Sequence, residues 1–369
     1  MTMPRHLKPI FEFFVTVAQV LTMGALAMGV MSMAYVSAAF ADDAVKPASK
    51  RFTEPMAGPE LQSPLSDPEA ASGSNAGKKN GATAPDDPGA DLAYGAFQRG
   101  YFLTAFKLAL PRAESGDPAA QTLIAELYWN GFGIAKDQKK AVEWYRFAAE
   151  GGNKEAQFAY ANIVLRGKVV DTDKERGTDF MRKAAKQGHA QANFNLAQII
   201  TASRPTWGGF KAALPHYTFA ANANVADAQY ALAIMHARAQ GVPYTDTQKA
   251  VYWMTRAAKG GFDTAQVELG IWLATGDGVE KDELAAFEWF SRAALAGNVI
   301  AQNRLALMLA NGIGAKRDII RAGAWHILSR RAGFNDTQME LIFSNLKDID
   351  KRRALEAANQ LSRRLRSSG

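Results

Sequence analysis

The chain has 369 residues, 48% hydrophobic and 21% charged, a balance that supports a sizeable folded core and excludes a wholly disordered protein. It contains no cysteine, which excludes a disulfide framework and any thiol nucleophile. The net charge of +7 is gathered at one end: residues 316–369 hold 12 Lys or Arg against 6 Asp or Glu, a net +6.

In chain order, Arg5, His6 and Lys8 precede an uncharged run from Phe13 to Ala41 that closes on Ala39-Phe40-Ala41. A basic start, an apolar run and an A-x-A end describe a secretory signal. The run of 29 residues exceeds the roughly 20 that span a bilayer, so residues 1–41 read as a signal peptide or an uncleaved membrane anchor. Small residues at the end favour cleavage. In either case the basic flank stays cytoplasmic and the rest is exported, which predicts a periplasmic, inner-membrane anchored or secreted protein. Residues 42–91, "DDAVKPASKRFTEPMAGPELQSPLSDPEAASGSNAGKKNGATAPDDPGAD", are rich in Pro, Gly, Ser and Ala and carry no helical or strand period. They read as a disordered linker.

Beyond it the chain repeats. Segments opening on Ala-Gln or Ala-Asn begin at Ala120, Ala156, Ala192, Ala228, Ala265 and Ala301, spaced by 36, 36, 36, 37 and 36 residues. A second ruler, Trp144, Phe180, His216, Trp253, Trp289 and Trp325, keeps the same period with one insertion in the same repeat. Two markers in register over six units define a repeat protein. Each unit predicts two helices joined by a Gly-rich turn. In the second, the Trp position and an Ala-Ala pair such as Ala148-Ala149 lie about one turn apart, so the Trp is expected to fill the space between helices and the alanines to set their approach. Asp137, Asp282 and Asp318, just after the Gly turn, read as helix N-caps. The fold expected is all-α, an α/α solenoid of about six 36-residue helix-turn-helix repeats over residues 92–334. A shortened helical cap closing on Gly116 opens it, and basic capping helices over 335–369 follow.

Repeat three departs from the pattern. "TASRPTWGG" replaces its Gly turn, Pro215 falls in its second helix and "ANANV" replaces the closing glycine. This reads as a hinge or ligand notch around Trp207, His216 and Tyr217, or as a decayed repeat held by its neighbours.

The pattern A-x-x-W-Y-x-x-A-A-x-x-G-x-x-x-A-Q-x-x-L-A followed by G-x-G stands nearly whole in repeats one, four and five. On these residues, from about Leu92 onward, the sequence resembles the Sel-one-like repeat (SLR) family, relatives of the tetratricopeptide repeats. The resemblance implies an exported bacterial scaffold or adaptor for protein complexes, linked to envelope signalling, surface polysaccharide control or host contact. Cysteine-rich members carry a disulfide in each unit, and nothing is transferred from them to this cysteine-free chain.

Nothing in the sequence points to catalysis, a cofactor or a metal. The five histidines lack metal-ligand spacing, no G-x-S-x-G elbow occurs, and the closest string to a phosphate loop, "GSNAGKK", is one residue short and lacks the hydroxyl. Partner contacts are expected at first-helix positions that vary between repeats: Thr122, Glu126 and Trp129, Phe158 and Asn162, Phe194 and Gln198, Tyr230 and Ile234, with Trp207 at the notch. These residues are equally placed to be core. Expected partners are proteins, among them the external domain of a membrane sensor, or polysaccharide or peptidoglycan. Membrane contact is expected only through an uncleaved anchor, and export sets nucleic acid aside. An enzyme or accessory factor acting on cell-wall or surface polysaccharide is the alternative.

Overall fold

The computed structural model describes residues 91–367; the expected signal or anchor, and all of the linker but Asp91, lie outside them. These residues form 16 helices with no strand among them. They divide into two compact units, residues 91–189 and 190–367.

The first unit opens with a hairpin of α1 (Leu92–Gln98) and α2 (Phe102–Glu114), the cap expected from the sequence. Repeat one follows as α3 (Pro118–Asn130) and α4 (Gln138–Glu150), and repeat two as α5 (Lys154–Arg166) and α6 (Lys174–Lys186). Each helix packs on the next in sequence. Its core is built from small residues (Ala105, Ala109, Ala120) around Ile124 and Leu127.

The second unit holds repeats three to six: α7 (Ala190–Ser203) and α8 (Trp207–Asn222), α9 (Ala226–Ala237) and α10 (Thr247–Lys259), α11 (Asp263–Thr275) and α12 (Glu283–Leu295), α13 (Val299–Asn311) and α14 (Ile319–Arg331). The basic end forms two helices, α15 (Thr337–Ser344) and α16 (Asp348–Ser367), and α16 lies along α14.

Short polar side chains start these helices. Asp137, Asp282 and Asp318 each accept a hydrogen bond from a backbone N–H three residues on, as the sequence predicts, and Asp173 and Asp246 do the same in repeats two and four. In repeat three Thr206 takes the role, its hydroxyl accepting from Gly209. There α8 runs unbroken through Pro215, which is exposed. The carbonyl it leaves without a donor is thus on the water side, where hydration replaces the missing bond.

Both members of the Ala-Ala pair are buried in repeats one to five, as expected. The Trp ruler needs correcting. Trp144, His216, Trp253 and Trp289 are only half-buried, and Phe180 and Trp325 alone are buried. The residue after the ruler is buried in every repeat: Tyr145, Met181, Tyr217, Met254, Phe290 and His326. One residue is about 100° of helix rotation, so the core line of the second helix runs through this position and the Trp flanks it.

The Ala-Gln pair joins consecutive helices. Ala120, Ala156, Ala228, Ala265 and Ala301 are buried, and the amide of the following Gln donates to a carbonyl eight residues back. The pairs are Gln121 to Ala113, Gln157 to Ala149, Gln229 to Ala221, Gln266 to Ala258 and Gln302 to Ala294, at 3.0–3.3 Å. Each acceptor lies in the last turn of the preceding helix, where carbonyls lack intrahelical donors. Repeat three has Asn193 instead; its Oδ1 lies 2.9 Å from His216 Nδ1.

Candidate binding surface

The positions singled out for partner contact divide by unit. In the first, Thr122 donates its hydroxyl to the Pro118 carbonyl one turn back and so satisfies itself within α3. Glu126 and Trp129 gather around buried Tyr145 of α4: the Tyr145 hydroxyl and the Asn130 amide donate to the Glu126 carboxylate, and the Trp129 ring meets Tyr145 edge-on at 6.3 Å. Burial raises the Glu126 carboxyl above the ordinary carboxylate range, and the two hydrogen bonds oppose the shift. Phe158 stacks on the His189 ring at 4.3 Å, and that imidazole pairs with Glu155 at 2.9 Å. Asn162 donates to the Phe158 carbonyl.

In the second unit, Phe194 is 3% exposed and packs with Tyr217 in the core of repeats three and four. It contributes packing and no partner surface, which corrects the expectation for this residue. Gln198 and Ile234 are half-buried. Tyr230 leans on Phe262 with ring centres 5.1 Å apart, and burial followed by the negative charge of Glu268 pushes its phenol well above the ordinary range. Trp207 belongs to different elements from the first-helix residues: it starts α8, is 50% exposed, donates its indole N–H to the Val242 carbonyl and carries Lys211 over its ring. His216 and Tyr217 of the expected notch are taken up by Asn193 and by the core.

Sequence reasoning passed over two charges on the first helices, Glu268 of α11 and Arg304 of α13. Both stand three residues after the Ala marker, where the other repeats carry Leu123, Ala159, Asn195 and Ala231. A charge on a line otherwise apolar or uncharged was the available signal. Burial raises the Glu268 carboxyl, with Arg238 opposing; burial lowers the Arg304 guanidinium, with Asp336 opposing.

Five stretches, residues 118–153, 154–189, 226–262, 264–298 and 299–334, match the Sel1 repeat. The chain is a Sel1-like repeat protein. The stretch left unmatched between the second and third of these, 190–225, is the irregular third repeat, whose helices keep the pattern's positions without its glycines. A protective antigen of uropathogenic Escherichia coli strains, whose crystal structure displays an SLR fold, is similar with a TM-score of 0.62 and 25% identity, over 73% of this chain and 61% of the antigen. This chain therefore spans less than two thirds of the antigen's length. A Sel1 repeat protein from Oxalobacter formigenes is similar with a TM-score of 0.58 and 29% identity, over 70% of this chain and 77% of that one. No curated protein matches the sequence. Sel1 repeats in general mediate protein–protein interactions, and this Sel1-like chain is an α/α solenoid of that class.

Proposed function

We propose that the protein is a non-enzymatic scaffold acting outside the cytoplasmic membrane, where it holds protein partners of envelope signalling, surface polysaccharide regulation or host contact. One observation carries this reading. The recurring residues of each repeat (Ala marker, Gln, buried aromatic or Met, Ala pair) are consumed by packing and interhelical bonds, whereas the first-helix residues left over differ from repeat to repeat. A rigid framework with a variable face suits recognition of another chain. Export rests on the basic, apolar and A-x-A pattern of residues 1–41, and the similar E. coli protein is an antigen, which agrees with life at the envelope.

The test is cross-linking and capture from the exported fraction, with a charge-neutralised first-helix variant as control. A stoichiometric protein partner that the variant loses supports the scaffold. Recovery of glycan or peptidoglycan fragments alone sinks it in favour of an accessory factor acting on polysaccharide. Exposed Trp207 favours this second reading, since an exposed indole offers a flat face for stacking.

A further inference from the structure

In the unit of residues 190–367, the first-helix face carries two charges that the fold leaves unsatisfied. Glu268 and Arg304 stand at the same register position one repeat apart, 36 residues by sequence. Both are half-buried, and neither has a hydrogen bond or salt bridge to any described residue. The carboxylate nearest in effect to Arg304, that of Asp336, is occupied: it accepts from the Asn303 amide at 3.1 Å and from the Met339 backbone at 2.8 Å. Arg238 acts on Glu268 and Asp336 on Arg304 through charge without a salt bridge, and burial outweighs both, so neither charge is there to stabilise the fold. Residues that a fold holds at its own expense are candidates for function.

The surroundings differ at the two ends. Glu268 lies close enough to Tyr230 to disturb its phenol, and Tyr230 rests on Phe262. Trp272 follows Glu268 by one helical turn on the same face of α11 and packs in the same cluster as Tyr230 and Phe262. A carboxylate beside aromatic rings attracts a cation through both its charge and the ring faces. Arg304 presents a planar fork of N–H donors suited to a carboxylate.

We propose that Glu268 and Arg304 form a bipolar clamp for an extended segment of a partner protein, Glu268 receiving a Lys or Arg side chain and Arg304 a carboxylate. The clamp rests on the scaffold reading and deepens it by stating the chemistry of the partner. Glu268 is on α11 and Arg304 on α13, and both helices pack on α12. An extended chain sets its side chains at regular steps, so the matching segment carries its two opposite charges at one fixed spacing.

The experiment selects a displayed library of eight randomised residues on the full-chain protein, with counter-selection on the double variant E268Q/R304Q. Selected peptides are expected to carry a basic and an acidic residue at one recurring spacing. Their Kd should weaken at least tenfold in either single variant, and the charge-swapped E268R/R304E should prefer the reversed order. Thermal melting separates this from a structural role: both neutral variants are expected to melt at or above the parent temperature, and a clear drop in either overturns the proposal. Selected peptides that bind E268Q/R304Q equally well, or a parent that selects none, also overturn it. If a protein partner is nonetheless captured from the exported fraction and survives E268Q/R304Q, the clamp alone has failed. If only glycan is captured, the scaffold has failed with it.

Discussion

The side-chain amide of Gln157 reaches back to the carbonyl of Ala149, 3.1 Å away in the last turn of the preceding helix. That carbonyl has no intrahelical donor; the Gly152 backbone N–H just past the helix end takes one of its lone pairs at 3.1 Å and buried Gln157 takes the other. The same link in four other repeats makes Ala-Gln a joint between helices. Gln157→Ala removes this link while the Gly152 backbone N–H still donates to the Ala149 carbonyl, which predicts a loss of about 0.5–1.5 kcal/mol in urea unfolding, that of one hydrogen bond. A Gln157→Ala midpoint equal to the parent's would mean that the Gly152 backbone bond alone satisfies the carbonyl.

Met254 and Trp253 separate the two faces of a second helix. Met254 is 0% exposed, whereas Trp253 is half-buried between two clusters. Met254→Ala should cost about 2–5 kcal/mol, as truncation of a fully buried Met does. Trp253→Ala opens no sealed cavity and should cost less. Melting curves of the two variants in the opposite order would restore the Trp as the core residue.

The fold was legible because its markers are small residues with a strict period. Ala120 and its successors must be small for helices to approach, so the 36-residue spacing survives in plain sight. Which neighbour of the Trp faces inward was not legible: "WY", "WM" and "WF" put two large apolar residues side by side, and both alanines of the pair that follows are buried, so the pattern fits either rotation. Phe194 was misjudged for a related reason, since an aromatic at the second position after the marker is core in repeat three and half-buried at Phe158 and Tyr230. Glu268 and Arg304 were hidden because charge in a first helix reads as solvent-facing until burial and the absence of partners are seen.

Gly314 and Gly297 both hold left-handed backbone, with φ of 67° and 93°. A side chain at Gly297 meets open space, while one at Gly314 runs into the Glu283 carbonyl at the start of the preceding second helix. Gly297→Ala should therefore cost only the conformational strain, about 1–2 kcal/mol. Gly314→Ala should cost clearly more, because backbone must move as well. Equal melting losses would show that the turn carrying Gly314 yields freely.

Ala239 takes φ of 51° in the turn of repeat four, a backbone that an L-residue adopts at a cost. Ala239→Gly removes that strain, offset in part by the greater freedom of glycine in the unfolded chain. A net gain of up to about 1 kcal/mol is expected, against the usual direction of Ala-to-Gly changes. A lower melting temperature for Ala239→Gly would show that the turn holds its shape without strain.

Acid sensitivity should trace to two half-buried imidazoles. Burial lowers the pKa of His216 below its ordinary 6.5, and His236 is lowered for the same first cause with Lys249 adding to it. The unfolded chain takes up these protons at about 6.5 and the folded chain only at lower pH, so below that value the unfolded state binds more protons. Stability from these groups is thus fully present above pH 6.5 and falls as the pH drops through and below it. Glu126 and Glu268, whose carboxyls burial raises, act with the opposite sign and partly mask the fall. Comparing melting temperatures at pH 7.5 and 5.5, His216→Gln should show a smaller drop than the parent, and the double variant with His236→Gln the smallest. A drop in the double variant as large as the parent's would place both rings in contact with water and the acid sensitivity elsewhere.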